Sequence, residues 1–343
     1  MKTPNMKAVV YTSYGAPEVL QLTDVVRPTP KDNEVLIRIH ATTVTSGDVR
    51  LRKADPFAVR FLFGLMRPKL QILGHEAAGV VEAVGSKVTR FRKGDRVFGS
   101  TGMGSGTYAE YICLPENGAL VTTPAQVSHE EAATLAVGAL TALHFLKQAK
   151  LSTGQQILIH GASGSIGTAA VQIAKSMGVH VTAVCSSANV PLLRSLGADR
   201  VIDYTKEDFL TTGGCYDAIF STVGRTSYAQ SKALLRTGGI FLTSFAAPSD
   251  YMHMLGSKLF GGSRVIGGGA PDGSAGLEQI RALMAAGQLK AVIDRSYPLA
   301  NIVVTGDFND FQFADTLAPL AAAGLTNMTN TLAANERYTY AYE

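Results

Sequence analysis

Residues 157–167 read ILIHGASGSIG, and this stretch decides the fold of the chain. A short apolar run leads directly into a glycine-rich turn, and a helical pattern of apolar residues follows until Gly178 stops it. A second apolar run begins at Val179. A pyrophosphate group needs bare backbone N–H groups and the positive end of a helix, and glycine leaves that approach open. The order strand, turn, helix, strand therefore predicts a dinucleotide-binding unit.

The predicted pyrophosphate turn is a small set of adjacent residues. They are Gly161, Ala162, Gly164, Ser165, Ile166 and Gly167. The alternative interpretation is a tight strand-to-helix turn that packs without a ligand.

Patterns on the two sides of this turn differ. From about residue 126 to residue 270, apolar strand-like runs alternate with helical patterns, which is typical of a parallel sheet in an α/β domain. From residue 6 to about residue 124, short apolar runs are bounded by Gly, Pro, Asp or Asn, which predicts a β-rich region. An apolar run at 291–293 predicts one more strand.

Composition favours a folded chain of two domains. The length is 343 residues, hydrophobic residues make up 46%, and the mean hydropathy is +0.14, which argues against disorder. The net charge is 31 − 27 = +4, and no Lys/Arg run is long enough for a nucleic-acid patch. We therefore expect no nucleic-acid partner.

Three isolated cysteines, Cys113, Cys185 and Cys215, exclude a disulfide framework and a four-Cys structural zinc site. No apolar run approaches the roughly 20 residues that span a bilayer. The first residues lack the apolar stretch of a signal peptide. We expect a cytoplasmic protein without a membrane partner.

The loop after the second strand of the dinucleotide unit bears on cofactor choice. An NAD-preferring site carries Asp or Glu there to hold the ribose hydroxyls, and residues 185–189 contain neither. Ser186, Ser187 and Asn189 can donate hydrogen bonds to a 2′-phosphate. The loop therefore favours NADPH, and the alternative is a neutral loop without selectivity.

Several further segments occur in one order along the chain, and they carry a family likeness. Residues 1 to about 299 resemble the medium-chain dehydrogenase/reductase superfamily, in particular its zinc-free quinone oxidoreductase branch. Besides the glycine turn, the matching segments are GHEAAG at 74–79, GDRVFG at 94–99, GTYAEY at 106–111, GALTA at 138–142, LGAD at 196–199 and IDY at 202–204.

The resemblance implies the domain organisation and more of the site. It implies a GroES-like β-rich substrate domain over residues 1–125, to which 289–300 return, and a Rossmann NADPH-binding domain with a doubly wound parallel sheet over 126–288. It implies hydride transfer from NADPH. It places near the nicotinamide Thr141, Val223, Gly224, Ser244 and Phe245, and it places Tyr204 near the 2′-phosphate.

Zinc-dependent members of the resembled superfamily bind their catalytic metal through a Cys three residues before an Asp and through a His-Glu pair. Here the pair is His75-Glu76, but Thr45 stands three residues before Asp48, and a hydroxyl is a poor zinc ligand compared with a thiolate. We therefore expect no bound metal. Thr45, Asp48 and His75 are expected to line the substrate pocket, with Thr45 and Asp48 as the candidate catalytic residues.

Without a Lewis acid, a simple alcohol is a poor substrate, whereas hydride addition to a quinone or an α,β-unsaturated carbonyl gives a delocalised anion. The predicted function is therefore NADPH-dependent reduction of a small-molecule quinone or enone. The alternatives are a relative of the zinc-type alcohol dehydrogenases and a non-enzymatic NADPH-binding protein. The oligomeric state stays open, a homodimer included.

Residues 301–343 depart from this pattern. They carry one basic and five acidic residues, and residues 302–311 resemble the strand-end motif of the endonuclease/exonuclease/phosphatase superfamily. Asp307 and Asn309 occupy the metal-site positions of that motif, but the rest of a nuclease site is missing. We interpret the segment as a foreign nuclease fragment without nuclease activity. The alternative is a coincidental turn. Residues 313–325 are predicted as a substitute helix and 338–342 as a substitute strand.

Overall fold

The computed structural model describes residues 4–246, 248–260, 263–301 and 338–339. The chain forms two compact units. The first contains residues 4–136, 293–301 and 338–339, and the second contains 137–292. Residues 126–136 belong to the first unit because the helix at His129–Thr134 packs against its strands.

The first unit is mostly antiparallel. Five strands form one sheet in the order β6-β3-β4-β5-β7, and β1 and β2 form a separate pair. The strands are β1 (Asn5–Val10), β2 (Gln21–Val26), β3 (Glu34–Thr42), β4 (Glu76–Val84), β5 (Arg96–Ser100), β6 (Tyr111–Pro115) and β7 (Leu120–Thr122). The helices are α1 (Ser46–Lys53), α2 (Val59–Phe63) and α3 (His129–Thr134).

The strands of this sheet form where β-branched and other apolar residues can face a common core. Val35, Ile37, Val81, Val97 and Leu120 are buried together on one side of it. This is the β-rich region that the sequence predicts.

The second unit is built on six parallel strands in the order β10-β9-β8-β11-β12-β13. They are β8 (Gln156–His160), β9 (His180–Cys185), β10 (Arg200–Asp203), β11 (Tyr216–Ser221), β12 (Leu235–Thr243) and β13 (Arg264–Gly267). The helices are α4 (Gly138–Ala149), α5 (Ser165–Ser176), α6 (Val190–Ser195), α7 (Tyr228–Ser231), α8 (Pro248–Phe260) and α9 (Ser274–Ala285).

Successive strands of this sheet run outward from β8 in one direction and from β11 in the other. The order therefore reverses between β8 and β11, and the carboxyl ends of these two strands flank the ligand crevice of a doubly wound fold. Residues 157–159 are fully buried, as expected for a strand covered on both faces. The predicted fold class, a GroES-like β-rich domain with a Rossmann parallel sheet, is confirmed.

The last described residues return to the first unit. Leu299 packs in a small core with Val9, Tyr11, Leu73 and Tyr108. The strand predicted at 291–293 is wrong, because that stretch has no regular structure.

The strand of this region lies further on. It is β14 (Ser296–Tyr297), which pairs in antiparallel fashion with β15 (Tyr338–Thr339). β15 covers the first two residues of the predicted substitute strand. Asp307, Asn309 and the helix predicted at 313–325 lie outside the described residues.

Within the described ranges, no helix is both long and apolar enough to cross a membrane.

Gly167 fixes how closely α5 approaches β8. A Cβ atom on this residue would lie 2.2 Å from the carbonyl oxygen of Gly161 and 2.6 Å from the Cα of Ala162. Both neighbours are backbone atoms that cannot move aside without shifting the turn. We expect Gly167→Ala to lower the free energy of unfolding by about 1–3 kcal/mol, measured by urea denaturation.

Gly256→Ala in α8 is the matched control, because a Cβ there meets open space. It should leave stability unchanged or raise it by up to about 1 kcal/mol, since alanine favours the helix. Equal effects of the two substitutions would contradict the packing argument.

Candidate functional site

The glycine turn lies at the carboxyl end of β8. Gly161 has φ +78°, a conformation that favours glycine. A Cβ atom on it would lie 2.5 Å from Val223 Cγ1 and 2.7 Å from Thr222 Oγ1. The turn is therefore packed against the segment that follows β11.

The N-terminus of α5 has the features that an anion requires. Gly164 is its N-cap, no side chain caps it, and its first turn carries no acidic residue. The first N–H groups of a helix have no partner within the helix, and its dipole makes this end positive. These residues fit a dinucleotide pyrophosphate.

Helix α4, which precedes β8, begins next to the first turn of α5. A Cβ atom on Gly138, the first residue of α4, would lie 2.1 Å from Ser165 Oγ in the first turn of α5. Thr141 follows three residues later in α4. This close contact brings α4 and Thr141 to the side of the turn.

Two further loops meet at this edge of the sheet. Gly224 has φ +64°, and a Cβ atom on it would lie 2.7 Å from Phe245 Cβ. The Ser244 hydroxyl donates to the carbonyl oxygen of Thr222 over 3.1 Å. The Thr222 hydroxyl lies 2.9 Å from the His160 carbonyl oxygen, to which it donates. The structure thus brings together Gly161, Val223, Gly224, Ser244 and Phe245.

His160 is a residue of this edge that sequence reasoning missed. Its Nδ1 lies 2.8 Å from the Thr226 hydroxyl, and its ring packs on Phe209 with centroids 4.8 Å apart. Burial, with the nearby charge of Arg225, lowers its pKa to about 4. The imidazole is therefore neutral at physiological pH. His160 directly follows the apolar run 157–159, so the sequence gives no signal that separates it from the rest of the strand.

The loop after β9 contacts a carboxylate that sequence reasoning also missed. The Ser187 hydroxyl donates to Asp203 Oδ2 over 2.5 Å. Asp203 ends β10, and the parallel pairing of β10 with β9 sets it beside Cys185. Although residues 185–189 contain no acid, one therefore lies next to them. The signal available for it was the short apolar run Val201-Ile202, which leads directly into Asp203.

Asp203 is heavily hydrogen-bonded. Hydrogen bonds from Ser187 and Thr205 hold its pKa far below its usual range. Its Oδ1 accepts from both the backbone N–H and the hydroxyl of Thr205, and Lys206 Nζ lies 3.2 Å from its Oδ2. Tyr204 is bound to the same loop through its N–H, which donates to the Cys185 carbonyl oxygen. Its side chain is about half exposed.

In the first unit, Asp48 is the centre of a buried network. Thr45 is the N-cap of α1, and its N–H and hydroxyl donate to Asp48 Oδ2 over 2.9 and 2.8 Å. The N–H of Asp48 donates in return to the Thr45 hydroxyl over 3.3 Å. The N–H of Gly74 donates to Asp48 Oδ1 over 2.8 Å. Asp48 therefore joins the start of α1 to the segment before β4.

His75 lies beside this network. Its Nδ1 is 2.9 Å from the carbonyl oxygen of Gly102, which can only accept, so Nδ1 carries the hydrogen. Its Nε2 faces Asp48 Oδ1 at 3.6 Å and the Ser105 hydroxyl at 3.5 Å. The structure thus brings Thr45, Asp48 and His75 together.

The hydrogen bonds of Thr45 and Glu76 determine which side chains near His75 are available to bind a metal ion. The Thr45 hydroxyl is engaged with Asp48, and the Glu76 carboxylate accepts from the Thr43 hydroxyl. Across the described parts of the chain, no group of three or more His, Cys, Asp or Glu side chains is arranged to hold a metal ion. Thr45 stands where the resemblance places the zinc-binding Cys, and its hydroxyl is a poorer zinc ligand than a thiolate.

Comparison with known proteins identifies the family. An alcohol dehydrogenase GroES-like domain model matches residues 31–125, and a zinc-binding dehydrogenase model matches 196–304. The quinone-oxidoreductase homolog, chloroplastic, of Spinacia oleracea is 33% identical over 313 residues, covering 86% of this chain and 92% of that protein. The chain belongs to the quinone oxidoreductase-like branch of the medium-chain dehydrogenase/reductase superfamily.

Two more matches agree with this membership. The 2-methylene-furan-3-one reductase of Solanum lycopersicum is 31% identical over 307 residues, covering 86% of this chain and 73% of that protein. The structure of the quinone oxidoreductase from Coxiella burnetii superposes with a TM-score of 0.80 at 27% identity, covering 99% of this chain and 100% of that one.

The chain is therefore an oxidoreductase of this superfamily, with a nicotinamide cofactor and a small-molecule substrate. The predicted family is confirmed. The resemblance of residues 301–343 to nucleases stays a prediction.

Replacing the carboxylate at the centre of the Asp48 network gives a test of that network. Asp48→Asn keeps the size and shape of the side chain, but its NH2 group faces the N–H of either Thr45 or Gly74. Two hydrogen-bond donors then face each other in a buried position, and neither has an acceptor. We expect the free energy of unfolding to fall by about 1–3 kcal/mol. Chemical denaturation monitored by circular dichroism measures it.

The matched control is Asp24→Asn, which removes an exposed ion pair with Lys7. It should cost less than about 1 kcal/mol. A loss for Asp48→Asn no larger than that of the control would show that the network does not hold the first unit together.

Proposed function

We propose that the protein is an NADPH-dependent reductase that transfers a hydride to a quinone or an α,β-unsaturated carbonyl without a bound zinc ion. The observation that carries the proposal is the network at Asp48. At the position of the zinc-binding Cys stands Thr45, and its hydroxyl is hydrogen-bonded to a buried carboxylate. Substrates whose reduced form delocalises its own charge suit such a site.

Each part of the chain has a task in this proposal. The turn from Gly161 to Gly167 and the N-terminus of α5 bind the pyrophosphate through backbone N–H groups. Thr141, Val223, Gly224, Ser244 and Phe245 orient the nicotinamide at the carboxyl ends of the strands. The cofactor, when bound, supplies the hydride.

The second hydrogen of the reduction arrives as a proton. The Thr45 hydroxyl already donates to Asp48, and Asp48 accepts from Thr45 and Gly74. In this proposal neither predicted catalytic candidate acts as the acid, and both act as positioning residues. The enolate or hydroquinone anion takes its proton from water, because these anions are basic enough to do so without a protein acid.

Relatives support the substrate class. One is named for a 2-methylene-furan-3-one, in which a methylene group is conjugated with a ketone, and another is named for quinones. Both substrates accept a hydride into a conjugated carbonyl system. We therefore extend this class to the present chain.

The preference for NADPH rests on the charges around the loop after β9. Ser186 and Asn189 offer hydrogen-bond donors, and residues 185–189 contain no carboxylate. The neighbouring Asp203 is already hydrogen-bonded and lies 3.2 Å from the Lys206 ammonium group. A 2′-phosphate would therefore meet donors and a cation rather than an unpaired negative charge.

A carboxylate in the loop should reverse this preference. We expect Ser186→Asp to weaken NADPH binding at least about tenfold through repulsion of the 2′-phosphate, while NADH binding is kept. Fluorescence titration of both cofactors measures the ratio. Ser195→Asp, on an exposed position of α6, is the control and should leave the ratio unchanged. Tighter NADH than NADPH binding by the unaltered protein would contradict the preference.

Chelation and a substrate screen test the reaction itself. We expect oxidation of NADPH by quinones and enals, with little activity on saturated aldehydes, and the same rates after prolonged dialysis against EDTA. The reason is that Thr45 stands where the zinc-dependent members carry a Cys, and a hydroxyl is a poorer zinc ligand than a thiolate. Stoichiometric zinc in the purified protein, lost together with activity, would favour the zinc-type alcohol dehydrogenase alternative. Tight NADPH binding without turnover of any acceptor would favour the non-enzymatic one.

A further inference from the structure

A short segment of the first unit exposes large apolar side chains in close succession. Between residues 57 and 66, five of them are 57–85% exposed to solvent. They are Phe57, Phe61, Leu62, Leu65 and Met66, and we call them the 57–66 patch. Exposed apolar residues scattered singly are normal, but a contiguous group marks a binding surface.

The segment that carries the patch is held in a defined shape. Gly64 has φ +125°, and a Cβ atom there would lie 2.0 Å from the Arg67 carbonyl oxygen. The N–H of Lys69 donates to the Phe63 carbonyl oxygen over 2.8 Å, and the Tyr14 hydroxyl donates to that of Gly64 over 2.7 Å. The backbone is thus tied to the first unit while the apolar side chains point away from its core.

The charges in the segment around the patch are mostly positive. Residues 50–70 contain six basic residues and a single acidic one, Asp55. Arg67 and Lys69 follow the patch directly and are exposed. The Arg60 guanidinium stacks 4.7 Å from the centroid of the Tyr14 ring and 5.4 Å from that of Phe57. The apolar surface is therefore bordered by cations.

We propose that the 57–66 patch binds the surface of a lipid bilayer that carries anionic headgroups. Aromatic and aliphatic side chains beside Lys and Arg are the combination by which a protein inserts at the boundary of headgroups and acyl chains. Phe61 and Met66, among the most exposed of the five, enter the apolar layer, while Arg67 and Lys69 pair with lipid phosphates. This binding needs no membrane-spanning helix. It departs from the expectation of a protein without a membrane partner, which rested on the lack of an apolar run long enough to span a bilayer.

A second copy of the chain suits the patch less well. In a symmetric contact the same patch meets itself, so each copy brings Arg67 and Lys69 to the contact, and residues 50–70 offer only Asp55 as an acidic counterpart. An anionic surface instead complements both the apolar residues and their basic border.

Vesicle flotation tests the proposal on the full-length protein. Vesicles of phosphatidylcholine with about 30% phosphatidylserine should carry the protein, and vesicles of phosphatidylcholine alone should carry several-fold less. The double variant Phe61→Ser/Met66→Ser should reduce binding about tenfold or more. Arg67→Glu/Lys69→Glu should remove the dependence on phosphatidylserine.

The matched control is Tyr251→Ser/Met252→Ser, which removes two comparably exposed apolar side chains from α8. It should bind the anionic vesicles like the unaltered protein. An unchanged melting temperature and an unchanged circular dichroism spectrum establish that each variant folds.

Three results would overturn the proposal. The first is absence of binding by the unaltered protein to anionic vesicles at low salt, and the second is equal binding by the Phe61/Met66 variant. The third is a dimer in sedimentation that this variant dissociates, without vesicle binding, which would assign the patch to a second copy. None of these readouts depends on reductase activity, so the proposed function stands or fails separately.

Discussion

The close approach of α5 to the turn after β8 is the constraint on which the geometry of the second unit depends. No side-chain atom fits between Gly167 and the backbone of Gly161 and Ala162. The first turn of the helix can therefore sit directly over the carboxyl end of β8. Because the strand order reverses beside β8, this places bare N–H groups where the loops after β11 and β12 converge. The position of the predicted pyrophosphate site follows from that contact.

The first unit depends on polar rather than steric constraints. Asp48 is 2% exposed, yet its carboxylate is satisfied by N–H and hydroxyl donors from two separate segments. A buried carboxylate with this many donors stabilises the local structure, because each donor keeps a hydrogen-bond partner out of contact with water. The group that the sequence analysis selects as a catalytic candidate thus also joins two segments of the first unit.

Much of this architecture could be predicted from the sequence, because its signals are local. A parallel strand buried on both faces is a continuous apolar run, as residues 157–159 show, and the spacing of Thr45 and Asp48 is that of a helix N-cap with its partner. Asp203 escaped prediction since its proximity to Ser187 arises only when β9 and β10 pair. The strand at 296–297 escaped for the same reason, because its partner lies at 338–339.

The division of the chain has a consequence for biosynthesis. The second unit is continuous over residues 137–292, so its six-stranded sheet can form while later residues are still inside the ribosome. The first unit is interrupted: Leu299 completes one of its cores, and β15 is the partner of β14. Residues 4–136 of the first unit therefore leave the ribosome first, but this unit is the last to be completed. During translation, part of the apolar surface of residues 4–136 therefore stays exposed until residue 299 has been synthesised. We expect a nascent-chain chaperone to bind this segment.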